Sequence, residues 1–85
     1  MRPSVEVLAG QLGYLFDEQP ELRSASAEQL TARLNHDDRF ARARSKYPMA
    51  TDAEIAERAG EFEDRITAAD VQAALARVRA DPFRD

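Results

Sequence analysis

At 85 residues with a formal net charge of -4, the chain has room for one small helical domain, residues 1–85, and little room for an internal active-site cavity. It is 44% hydrophobic and 33% charged with 3 Gly and 4 Pro, a profile that argues for a packed helical core and against a disordered tail. The absence of Cys and the single His remove disulfides, thiolate metal sites and His-rich metal sites from consideration, and the acidic balance disfavours generic binding to phosphate backbones.

The first helix is expected to open at Ser4, with Val5, Leu8, Leu12 and Leu15 at helical spacing, Phe16 on their flank, and Pro20 closing the segment. Val7 and Tyr14 lie one heptad apart on the opposite side, so this helix is apolar on two faces. Gly10 and Gly13 each cost up to about 1 kcal/mol against Ala within a helix, which predicts a close backbone neighbour or a local break. Residues 19–25 read as a connection in which Leu22 reaches the core.

A second helix begins at Ser26, where Ser26 and Gln29 match the capping box that satisfies free amide groups at a helix start. Leu30 and Leu34 form its buried side. Asn35 and His36 then read as an interruption, after which Asp37 or Asp38 caps a third helix carrying Phe40, Ala43 and Tyr47 inward and ending at Pro48. The fourth start, Thr51 with Glu54, is the clearest in the chain. Ile55, Ala59, Phe62 and Ile66 continue from it at helical spacing straight through Gly60, which predicts an uninterrupted helix. Residues 54–60 resemble the opening of a helix-turn-helix, but that continuing stripe leaves no turn for one. Thr67 and Asp70 open a fifth helix with Val71, Leu75 and Val78 inward, stopped at Pro82. No segment alternates with period two, so strands are not expected.

These readings predict an all-α fold, a compact bundle of four to five short helices. Its expected core is Leu8, Leu12, Leu15, Leu30, Leu34, Phe40, Ile55, Phe62, Ile66, Val71, Leu75 and Val78.

Chemistry is harder to place. Residues 35–38, Asn-His-Asp-Asp, are the one cluster with a His beside carboxylates, and consecutive residues on a turn rarely converge on a metal, so they read as a solvated turn. Glu61, Glu63 and Asp64 read as a solvated face, and nucleophile motifs and phosphate-cradling glycine loops are absent. No catalytic residue, cofactor or metal is assigned, and an enzyme is not expected. No apolar run is long enough for a membrane span, which leaves the cytoplasm as the expected setting.

Two surfaces remain. Val7 and Tyr14 are candidates for a contact with another protein, a second copy included. Arg39, Arg42, Arg44 and Lys46 make residues 38–47 a basic helix, and with a turn at Asn35 and His36 that is the outline of a helix-turn-helix reader of DNA. The same cations could instead be consumed by Asp52, Glu54, Glu57, Glu61, Glu63 and Asp64. The expected function is a non-enzymatic protein-binding adaptor or regulatory module. The alternative is a small DNA-binding transcriptional regulator, for which those four cations must form one exposed patch.

Overall fold

The computed structural model describes residues 2–80. The fold is all-α: the described residues form four α-helices and no strand. They are α1 (Val5–Glu18), α2 (Ala27–Lys46), α3 (Asp52–Arg58) and α4 (Ala68–Ala80), with short 3₁₀ turns at Pro20–Ser24 and Ala59–Glu61. No helix among the described residues is long and apolar enough to cross a membrane.

Every helix start rests on the cap that the sequence announces. The Ser4 hydroxyl accepts from the Val7 amide at 3.2 Å. Ser26 and Gln29 exchange bonds at 2.9 and 3.1 Å, Thr51 and Glu54 at 3.1 and 3.2 Å, and Thr67 and Asp70 both at 3.1 Å, each pair satisfying two amides that a helix start leaves open. Thr51→Ala is therefore expected to destabilise the chain by about 1 kcal/mol, read as a lower urea midpoint. The caps also bind the charged form of their carboxylates. The backbone and side-chain hydrogen bonds from Thr51 hold Glu54 below the ordinary glutamate range, and those from Thr67 do the same for Asp70. A pKa lowered by folding gives stability that is complete above the unfolded value, near pH 4, and lost as the pH falls through the folded one. The loss of stability between pH 7 and pH 3 should accordingly be smaller in a Thr51→Ala/Thr67→Ala variant than in the parent chain, measured as the shift in urea midpoint.

The chain divides into two units, one holding the residues up to Thr31 together with those from Ile66 onward, the other Ala32–Arg65. In the first, α1 packs along α4 and against the turn that follows α1. Leu8, Leu12, Leu15 and Phe16 of α1, Leu30 of α2, and Val71, Ala74 and Leu75 of α4 are buried, as is Ile66. In the second, Ala43, Ile55 and Ala59 form a buried cluster with Phe40, Tyr47, Ala50 and Phe62 packed on it. Leu34 and Asn35 of this unit are also buried. Of the expected core, Phe40, Phe62 and Val78 are half-buried, as is Leu22 in the turn after α1. Phe16, Ala43, Ala59 and Ala74 complete the buried set.

Two expected boundaries are corrected. The interruption at Asn35 and His36 does not occur: α2 runs for 20 residues through both, and neither Asp37 nor Asp38 caps a helix. The side chain of Asn35 turns its oxygen to the amide of Arg65 at 3.2 Å, so a residue that usually competes with its own helix is occupied elsewhere. The stripe through Gly60 is not one helix. α3 stops at Arg58, one 3₁₀ turn follows, and Phe62 is extended at φ -102°, ψ 140°. Beyond it, Arg42 of α2 donates to the Glu63 carbonyl and Asn35 accepts from Arg65, so side chains of α2 satisfy backbone groups that a helix would have paired internally.

Candidate functional site

α1 presents two faces because its apolar residues fall on two sides of one turn pattern. Leu8, Leu12, Leu15 and Phe16 are buried, whereas Val7 and Tyr14 are 51% and 65% exposed. Gly10 lies between them at i+3 from Val7, so Val7, Gly10 and Tyr14 share one outward strip. A methyl group added at Gly10 would meet nothing within 4 Å. Neither a close neighbour nor a helix break explains this glycine, since α1 is continuous through it, and Gly13 is buried within the same helix.

Gly10 has no positive φ, so alanine fits its backbone. Gly10→Ala is expected to stabilise the chain by up to about 1 kcal/mol, seen as a higher thermal midpoint. An unstabilised variant would mean that the glycine serves packing within the chain.

On the second surface, the C-terminal half of α2, each candidate cation lies within ion-pair distance of a carboxylate of its own unit. Arg39 pairs with Asp64, and Arg42 lies 2.9 Å from Asp38 while also donating to the Glu63 carbonyl. Arg44 reaches Asp52 and Lys46 reaches Glu61, each at 3.8 Å. Arg42 and Lys46 further lie over the Phe62 ring, 5.2 and 5.8 Å from its centre. Each of the four cations thus has an acidic partner, drawn chiefly from residues 52–64, and the turn that a helix-turn-helix needs at residues 35–36 is helix.

On the acidic side of the same unit Glu57 and Glu63 have no ion pair among the described residues, whereas Glu61 is engaged. Glu61 accepts from the Tyr47 hydroxyl at 2.9 Å and from Arg58 at 3.0 Å, which hold its carboxyl below the ordinary range. His36 stacks on Phe40 with ring centres 4.4 Å apart and lies 3.2 Å from Asp37. No group of three His, Cys, Asp or Glu residues able to hold a metal occurs among the described residues.

Met49, 94% exposed in the turn after α2, had no periodic signal in the sequence. A single exposed apolar side chain is ordinary on a protein surface and carries no assignment here. The strip on α1 differs because two large apolar side chains and an open glycine align on one helix face. No protein family, curated protein or solved structure matches the chain.

Proposed function

We propose that the chain is a non-enzymatic protein-binding adaptor or regulatory module whose contact surface is the outward strip of α1. The observation that supports this most is the pairing of two apolar faces on one helix: one is used against α4, while Val7 and Tyr14 remain in water with Gly10 open between them. Water-exposed apolar area aligned on a rigid helix is a ready surface for another protein. The DNA-binding alternative is not favoured, because its cations are already paired.

Affinity capture with the full chain and with a Tyr14→Lys variant of unchanged helicity tests the reading. Proteins retained by the parent chain and lost by the variant are expected. Identical retention by both would move the contact surface off α1.

A further inference from the structure

The outward strip of α1 ends in negative charge. Asp17, Glu18 and Glu21 are all exposed, and none of them has an ion pair among the described residues. The last turn of α1 carries no basic residue, so Asp17 and Glu18 add to the negative end of the helix dipole where a cation would be favourable. Elsewhere Asp38, Asp52, Glu61, Asp64 and Asp70 each have a cation within ion-pair distance, whereas Glu28, Glu54, Glu57 and Glu63 have none among the described residues but are not gathered at the end of an apolar strip. At the opposite end of α1 the cations are already engaged, Arg2 with Asp70 at 3.6 Å and Arg77 with Glu6 at 2.9 Å.

Charge and area together narrow the occupant. Apart from Arg23, which lies over the Phe16 ring, and Arg79, the described cations of a second copy are already engaged, and a parallel copy would set acid against acid. The exposed parts of Val7 and Tyr14 amount to on the order of 200 Å², well short of the roughly 800 Å² per partner of a stable dimer. Gly10, which nothing inside the chain requires, allows an incoming backbone or apolar side chain to approach closely. Resting on the protein-binding reading above, we propose that this face docks a cationic amphipathic helix of another protein. The apolar side of that helix lies across Gly10 between Val7 and Tyr14, and its Lys or Arg residues meet Asp17, Glu18 and Glu21.

The probes are two synthetic amphipathic helical peptides with one Leu face, flanked by Lys in the first and by Glu in the second, titrated into the isotope-labelled full chain. The Lys peptide is expected to shift the amide resonances of α1 and to bind at least about tenfold more tightly than the Glu peptide. Asp17→Lys/Glu18→Lys/Glu21→Lys should reverse that preference, and Gly10→Leu, whose Cβ meets no neighbour in the chain, should weaken the Lys peptide by about tenfold. Equal binding of both peptides through α1, lost in Tyr14→Lys, would overturn the cationic partner while leaving the protein-binding surface in place. If neither peptide moves α1, the proposal falls, and the capture comparison decides the broader reading separately. A dimer seen by sedimentation and abolished by Tyr14→Lys would overturn it in favour of a second copy.

Discussion

Leu12→Ala is expected to destabilise the chain by about 3 kcal/mol, because it empties a fully buried position of α1 and leaves a cavity that the surroundings close only in part. For a small domain this is a large share of the roughly 5 kcal/mol at the low end of natural stabilities. Urea unfolding followed by helical circular dichroism reads it directly. Tyr14→Ala is the matched control on the same helix. At 65% exposure its side chain contributes little to folding, and the expected change is within about 0.5 kcal/mol. Equal losses in the two variants would mean that α1 has no inner and outer face.

Asp38→Ala should produce the second large effect, about 2 kcal/mol. The Asp38 side chain is only 12% exposed and accepts from Arg65 Nε and an Arg65 terminal nitrogen at 2.9 and 2.8 Å, with Arg42 also 2.9 Å away. These bonds hold the Arg65 guanidinium in its charged form and attach the segment before α4 to α2. Removing the carboxylate leaves two guanidinium groups beside one another without their shared counter-charge. Arg44→Ala provides the contrast, since its 3.8 Å pair with Asp52 lies in water and exposed pairs contribute little. Losses of equal size in the two variants would contradict the role given to Asp38.

What the sequence displays and what it conceals divide along a physical line. Caps are local, three residues from donor to acceptor, so Ser26 with Gln29, Thr51 with Glu54 and Thr67 with Asp70 can be read from spacing alone. The two faces of α1 are local for the same reason: helical periodicity separates Val7 and Tyr14 from Leu8, Leu12 and Leu15. The course of α2 is not local. Asn35 and Asp38 have the composition of a turn, and what keeps them helical is Arg65, about thirty positions away in the chain. The end of α3 is concealed similarly, because Ile55 and Ala59 keep their helical spacing and Phe62 still packs on their cluster after the helix has stopped. Which cations of α2 stay free is decided by these same long-range partners. The basic residues are visible in sequence, and their neutralisation is visible only in the fold.

If the outward strip of α1 meets another protein, site-specific photocrosslinking will capture that contact. A photoreactive phenylalanine analogue is placed at Tyr14 in the full chain, and the same analogue at exposed Gln72 of α4 serves as the control. In the cells that express the protein, a discrete crosslinked species is predicted from position 14 and not from position 72, and Val7→Lys should abolish it. Crosslinks of equal yield from both positions, or none from position 14, would mean that the outward strip of α1 is not the contact surface.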